Sequence, residues 1–319
     1  MFISLTLTIT LLTAAQAWLY DGATPVDCIE DWGPWRCAGN KKQYRENIIF
    51  RHPTVNGAPC VNGRIEFNEN SCEPTLDDKT RSVEKFWLNH DNGFTSGSRS
   101  GRESGLKRDI LILLDMSGSI STTAFNEVKV DISRFIGLIC PAGDLGRGRT
   151  NQLALVAFSD RIVRVFDFND HYNLAVTQNA IRNFQRQGTN THTKQALEYV
   201  RRNMFGSQGL AYRGLRRDSN HEVILITDGQ PTDASEVEVE QEAQRLKNMG
   251  VEVFGFGIDE TQAINFEHLN KVVSPKDTSH VFHIKGVQEF TAIVEIIRAQ
   301  AESPHNTGQC IDLGYYPDQ

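Results

Sequence analysis

Residues 109–119 read Asp109-Ile110-Leu111-Ile112-Leu113-Leu114-Asp115-Met116-Ser117-Gly118-Ser119, and this stretch decides the fold. Ile110–Leu114 is a continuous apolar run. A strand covered on both faces of a parallel sheet has that form, whereas a strand with one wet face alternates. The run stops at Asp115, and Gly118 allows a tight turn. Beyond it Phe125, Val128, Ile132, Phe135, Ile136 and Ile139 recur at helical spacing. The same alternation continues downstream. Runs at 153–158 and 162–168 read as strands joined in a hairpin through Ser159-Asp160-Arg161. Ala196, Leu197, Val200 and Met204 mark a helix, and 223–226 is a second buried strand. A helix near 235–249, a strand at 251–258, a short helix near 264–272 and a strand at 281–284 follow. Val287, Phe290, Ile293, Val294 and Ile297 mark the last helix. This order predicts an α/β domain over 109–300, with a doubly wound, mostly parallel sheet flanked by helices.

Outward from this domain the composition changes. Residues 301–319 form a C-terminal tail. Residues 76–108 are polar and read as a flexible linker, most clearly at Thr95-Ser96-Gly97-Ser98-Arg99-Ser100-Gly101. An N-terminal module is placed at 18–75, where residues 24–75 are poor in aliphatic periodicity and rich in Cys, Trp, Gly, Asn and Pro. They predict a small disulfide-rich β module that depends on cross-links. Residues 1–17 carry no charged side chain and end in Ala15-Gln16-Ala17, a signal-peptide pattern with the mature chain starting at Trp18. All six cysteines lie beyond it: Cys28, Cys37, Cys60, Cys72, Cys140 and Cys310. An even count after a signal sequence favours disulfides and a secreted, extracellular protein. No Cys pair has zinc-ligand spacing. A net charge of −7 argues against nucleic acid as a partner. No later run is long and apolar enough to span a membrane.

Asp115, Ser117 and Ser119 stand where the first strand ends. Ile226-Thr227-Asp228-Gly229 ends another strand, and Gly188-Thr189-Asn190-Thr191-His192-Thr193 precedes a helix. Open α/β sheets gather ligands outside the carboxyl ends of their strands. Carboxylates and hydroxyls delivered there make an oxygen-only set, which suits a hard divalent cation. The local alternative makes Ser117, Ser119 and Ser121 turn and helix-cap residues, with both aspartates bonded nearby. Three such segments converging on one crevice favour a site. Their order and spacing resemble the von Willebrand factor A domain and its metal-ion-dependent adhesion site. The resemblance covers about 109–300. It implies that Asp115, Ser117, Ser119, Thr191 and Asp228 surround Mg²⁺ or Mn²⁺, and that a partner carboxylate completes the shell. Thr191 is preferred to Thr189 because Thr191-x-Thr193 stands at the family's distance from Ala196-Leu197.

In the N-terminal module Trp32-Gly33-Pro34-Trp35 precedes Cys37. Gln43 and Arg45 alternate beyond it, followed by Asn56-Gly57-Ala58-Pro59-Cys60 and Cys72. The pattern resembles a thrombospondin type 1 repeat over about 27–73. That resemblance implies tryptophans layered against arginine, Trp32 as a C-mannosylation site, and bridges Cys28–Cys60 and Cys37–Cys72. Spacing alone leaves three pairings of four cysteines open. Cys140 and Cys310 then remain. One follows the first helix of the α/β domain and the other the last, both on the face away from the metal, so a Cys140–Cys310 bridge is expected.

These readings lead to a secreted adhesion or matrix protein that binds a protein or glycan through its cation. A structural component of a cross-linked or mineralised matrix is the alternative. A metal-dependent hydrolase fits less well. An aspartyl-nucleophile phosphatase wants an Asp two residues after Asp115, where Ser117 stands, and neither Gly-x-Ser-x-Gly, His-Glu-x-x-His nor a P-loop occurs. No catalytic residue is therefore expected. Arg201, Arg202, Arg213, Arg216 and Arg217 form the densest basic region and read as a solvated face.

Overall fold

The structure, a computed structural model, describes residues 27–38, 41–51, 53, 56–61, 64–88, 107–139, 144–260, 263–274 and 280–302. The chain divides into two compact units, one from Met1–Trp35 and Arg45–Glu66, the other from Arg36–Tyr44 and Phe67–Gln319. Four strands occupy the N-terminal region: β1 (Ile29–Trp32), β2 (Arg36–Cys37), β3 (Lys42–Arg51) and β4 (Ile65–Ser71), with β3 pairing all the others. Such short strands bury little apolar surface, and cross-links replace the missing core. The bridges are Cys28–Cys60 and Cys37–Cys72, with Cα separations of 5.1 and 5.9 Å. These are the pairings that the repeat resemblance implies. In the smaller unit the Arg45 guanidinium lies 5.0 Å from the Trp32 ring and 4.6 Å from the Trp35 ring, and Arg64 lies 5.5 Å from Trp32. Glu66 orients Arg45 by accepting its Nε–H at 2.6 Å.

The larger unit carries the α/β domain. Helix α1 (Leu76–Val83) continues as a wider turn over Glu84–Leu88. Then come β5 (Arg108–Asp115), α2 (Thr122–Phe135), β6 (Asn151–Phe158), β7 (Ile162–Phe166), α3 (Leu174–Asn183), α4 (Thr193–Tyr199) and α5 (Ser207–Tyr212). The chain continues through β8 (Asn220–Thr227), α6 (Glu236–Lys247), β9 (Val251–Ile258), α7 (Phe266–Val272), β10 (Val281–Ile284) and α8 (Val287–Ala301). The strands form one sheet in the order β10-β9-β8-β5-β6-β7, parallel except for the β6–β7 hairpin. Every residue of β5 is buried, which accounts for its unbroken apolar run. Leu111 and Leu113 join Val156, Leu225, Val239 and Leu246 in the core on one face. On the other face Trp87, Phe135, Phe256, Phe282 and Phe290 stack with centroid distances of 4.5–6.1 Å. From β5 the chain moves to β6 and β7 on one side, then returns to β8 on the other. The strand order therefore reverses at β5, and the crevice beyond the ends of β5 and β8 is the switch point where such sheets bind ligands.

The expectation of a flexible linker over 76–108 is corrected at its start. Thr75 caps α1 and forms a reciprocal capping box with Asp78. Val83 and Trp87 are buried, and Lys79 reaches Glu289 on α8 at 2.6 Å. The helix is held by tertiary partners, so its own polar sequence reads as loop. The Gly- and Ser-rich stretch 95–105 lies outside the described residues. So do residues 1–17, where a signal peptide is expected, and both Cys140 and Cys310, with the bridge expected between them.

Glu84, in the turn after α1, is 1% exposed, and neither carboxylate oxygen has a hydrogen-bond partner among the described residues. Burial pushes its carboxyl up to about 7, with Arg81 opposing and Asp77 adding to the rise. A carboxyl raised on folding favours the native state only while it is protonated. Its contribution is intact below the ordinary value of 4.5, is lost as pH climbs to about 7, and is constant beyond. The full swing is about 3 kcal/mol at most. Glu84→Gln removes this titration. Urea midpoints of wild type and variant are expected to diverge between pH 4.5 and 7.5, in the variant's favour. Parallel profiles would show a carboxyl that ionises freely.

Candidate metal centre

Asp115 closes β5 with its side chain buried. Its Oδ1 accepts the Ser117 N–H at 2.9 Å, and its Oδ2 accepts the Thr227 hydroxyl at 2.7 Å. The Ser117 and Ser119 hydroxyls are 2.9 Å apart, and Ser119 donates to Asp228 Oδ1 at 2.9 Å. Four of the five expected residues thus form one connected oxygen cluster across the ends of β5 and β8. Ser121 does cap α2, accepting the Ala124 N–H at 3.1 Å, but Ser117 and Ser119 face the aspartates instead.

Thr191 is buried just before α4 and is tied to the loop that follows Asp228. Its N–H donates to Thr232 Oγ1 at 3.1 Å, and its carbonyl accepts the Thr232 N–H at 2.8 Å. Thr189 is exposed and offers its backbone: its carbonyl accepts the Gly118 N–H at 2.7 Å. A Cβ on Gly118 would stand 3.0 Å from that carbonyl, so a side chain there would press on the loop. Sequence reasoning assigned no role to Thr227, Thr232 or Arg186. Thr227 sits inside the quoted Ile-Thr-Asp-Gly run, so a signal for it was present. Arg186 had none. Its guanidinium donates to the carbonyls of Met116 (3.1 Å), Ser117 (2.6 Å) and Ile120 (2.6 Å), and so fixes the β5–α2 loop.

The electrostatics are those of two carboxylates forced together. Burial raises the Asp115 carboxyl, against the hydrogen bonds from Thr227 and Ser117. Asp228 is pushed up to about 7, first by burial, next by the Asp115 charge, with Glu260 adding a smaller share. Asp228 Oδ2 is buried without a hydrogen-bond partner among the described residues. Hydroxyls, two carboxylates and one unsatisfied buried oxygen fit a hard divalent cation, which would relieve the repulsion and use the free lone pairs. The basic region lies elsewhere, and most of it is neutralised. Arg201 pairs with Glu242, Arg202 with Glu198, Arg213 with Asp167 and Arg216 with Asp109, while Arg217 is exposed.

The family model for the von Willebrand factor type A domain matches residues 109–297, more than half of the 319-residue chain. The chain belongs to this family. It is 30% identical over 206 residues to human von Willebrand factor A domain-containing protein 1, covering 63% of this chain and 42% of that protein. It is 29% identical over 222 residues to the mouse collagen alpha-4(VI) chain, covering 69% and 9%. Human matrilin-1 is 26% identical over 195 residues, covering 61% and 36%. The chain therefore spans less than half the length of these relatives. Among solved structures, proximal thread matrix protein 1 from the mussel byssus superposes with a TM-score of 0.52 at 22% identity, covering 60% of this chain and 47% of that one. That likeness is one of fold.

Proposed function

We propose that this A-domain protein is exported and acts outside the cell in adhesion or matrix assembly, binding its partner through a divalent cation at Asp115, Ser117, Ser119, Thr191 and Asp228. The observation that carries this reading is Asp228 Oδ2, which has no hydrogen-bond partner among the described residues and is buried beside a second carboxylate and two serine hydroxyls. Mg²⁺ or Mn²⁺ suits the donor set, and one solved structure of the mussel thread protein is described as having a zinc-occupied site of this type. Bound there, the cation offers a coordination position to a partner's carboxylate. Asp115 and Asp228 supply charge, the serines and Thr191 supply neutral oxygens, and Arg186 keeps the loop from rearranging. The relatives named as collagen and matrilin chains support an extracellular setting, as do disulfides, which persist in oxidising compartments. No catalytic residue is assigned. The N-terminal module supplies a second contact, and two linked contacts gain avidity. Its arginines over Trp32 and Trp35 support a thrombospondin type 1-like identity, and the Trp32-Gly33-Pro34-Trp35 sequence supports C-mannosylation at Trp32.

The test is Asp115→Ala, titrated with Mg²⁺ and Mn²⁺ by calorimetry beside wild type. Removing this buried charge also relieves Asp228, so the domain is expected to stay folded by circular dichroism while the heat of cation binding disappears. Cation binding retained by the folded variant would place the site elsewhere.

A further inference from the structure

The loop between β5 and α2 carries Ser117 and Ser119, and one side chain from another part of the fold holds it. Arg186 is half-buried. Its Nε donates to the Met116 carbonyl at 3.1 Å, its Nη2 to that of Ser117 at 2.6 Å and its Nη1 to that of Ile120 at 2.6 Å. Every nitrogen of the guanidinium is thus spent on this loop, and among the described residues Arg186 forms no ion pair. The three acceptors bracket Gly118 and Ser119. Fixing their peptides fixes where the two hydroxyls point. Ser117 Oγ lies 2.9 Å from Ser119 Oγ, and Ser119 Oγ donates to Asp228 Oδ1 at 2.9 Å. A planar, rigid fork suits three carbonyls at once, whereas an ammonium on a flexible stem is a single point of donation.

The segment that carries Arg186 is itself clamped. Lys129 of α2 is buried, and its Nζ donates to the carbonyls of Arg182 at 3.1 Å and Phe184 at 2.6 Å. On the far side of Arg186, the Ser159 hydroxyl donates to the Gln187 carbonyl at 2.8 Å, and the Thr189 N–H donates to Asp160 Oδ1 at 2.8 Å. Gly188 between them has φ +94°, and a Cβ there would collide with Ser159, so only glycine fits this turn. Thr189 then returns its carbonyl to the Gly118 N–H at 2.7 Å. Helix α2 therefore holds the segment that holds its own entry loop. A loop closed by such a circuit has little freedom to widen, and width is what separates divalent cations. Mg²⁺ demands near-octahedral oxygens at about 2.1 Å, whereas Ca²⁺ accepts six to eight, less regularly placed, at about 2.3–2.6 Å.

Resting on the cation-site reading above, we propose that Arg186 is a positioning residue that makes the centre discriminate the smaller cation, Mg²⁺, from Ca²⁺. The test compares the full wild-type chain with Arg186→Met, which keeps the stem and removes the fork, and with Arg186→Lys, which keeps the charge. Circular dichroism checks that both variants fold. Calorimetric titration with each ion is expected to show the ratio of Mg²⁺ to Ca²⁺ affinity falling about 10- to 100-fold in both variants, the usual scale for a group that orients metal ligands. Most of the fall is expected in Mg²⁺ binding. In the metal-free proteins the amides of Ser117 and Gly118 are expected to exchange with deuterium faster than in wild type, while those of β5 stay protected. Equal loss of affinity for both ions would reduce Arg186 to a contributor to stability. A gain for both ions in Arg186→Met, with Arg186→Lys matching wild type, would show that only its charge acts, by repelling the cation. Either result, or unchanged exchange at Ser117 and Gly118, would overturn the proposal. Mg²⁺ binding by wild type separates the two layers. Heat of binding with an unaltered ion preference in the variants removes only the role of Arg186, whereas no heat removes the cation site as well.

Discussion

Trp87→Ala is expected to destabilise the larger unit by about 3–5 kcal/mol, a core-sized loss at a position that reads as linker. The Trp87 ring lies 4.5 Å from Phe135 on α2 and 6.0 Å from Phe256 on β9, and both of those rings pack on Phe290 of α8. The indole therefore fills the angle between two helices and the sheet. A parallel sheet buried on both faces cannot close over the gap, so most of the cavity would persist. The indole Nε1 has no hydrogen-bond partner among the described residues, so the loss is one of packing rather than of a polar contact. Trp87→Phe keeps one aromatic ring in place and is expected to lose about 1–2 kcal/mol. Urea unfolding followed by circular dichroism measures both. A loss below about 1 kcal/mol for the alanine variant would mean that residues 84–88 do not dock on the domain in solution.

That position also marks where sequence reading runs out. β5 was legible because a strand covered on both faces must be apolar throughout. The candidate site was legible for a related reason. Asp115 and Asp228 each follow directly on such a run, so their place at the strand ends was clear, and topology then brings those ends together. Helix α1 offered no equivalent signal. Asp77, Asp78, Lys79 and Arg81 dominate it, and the burial of Lys79 depends on Glu289, far away in sequence. Arg186 and Arg216 were hidden in the same way. A guanidinium that satisfies backbone carbonyls, or a buried carboxylate such as Asp109, looks in sequence like any other surface arginine. The cysteine pairing stood open for a different reason: spacing carries no information about which strands become neighbours.

Glu222→Ala is expected to cost about 3–5 kcal/mol, because it strands a buried cation. Arg108 begins β5 and Glu222 lies in β8 opposite Ile110, at the end of the sheet away from Asp115. Both side chains are almost wholly buried. Arg108 Nε donates to Glu222 Oε1 at 2.7 Å, and Nη2 donates to Oε2 at 2.7 Å, a two-pronged pair. Nη2 also reaches the carbonyl of Trp87 at 3.1 Å. The pair thus links the central strands to the segment that carries the indole. Without Glu222 the guanidinium would keep its desolvation penalty and lose its counter-charge. Replacing both partners with apolar residues, Arg108→Met with Glu222→Leu, removes the penalty along with the attraction and often proves close to neutral. The double variant is therefore expected to be more stable than Glu222→Ala and to fall well short of the summed single losses, a coupling that a double-mutant cycle reads directly. Release of the Trp87 carbonyl should appear separately, as faster amide exchange in residues 84–88. Cation binding should be unchanged in each of these variants, because the pair and the metal centre occupy opposite ends of β5. Additive single losses would show that Arg108 and Glu222 act independently, and a lost cation heat would show that the two ends of the strand communicate.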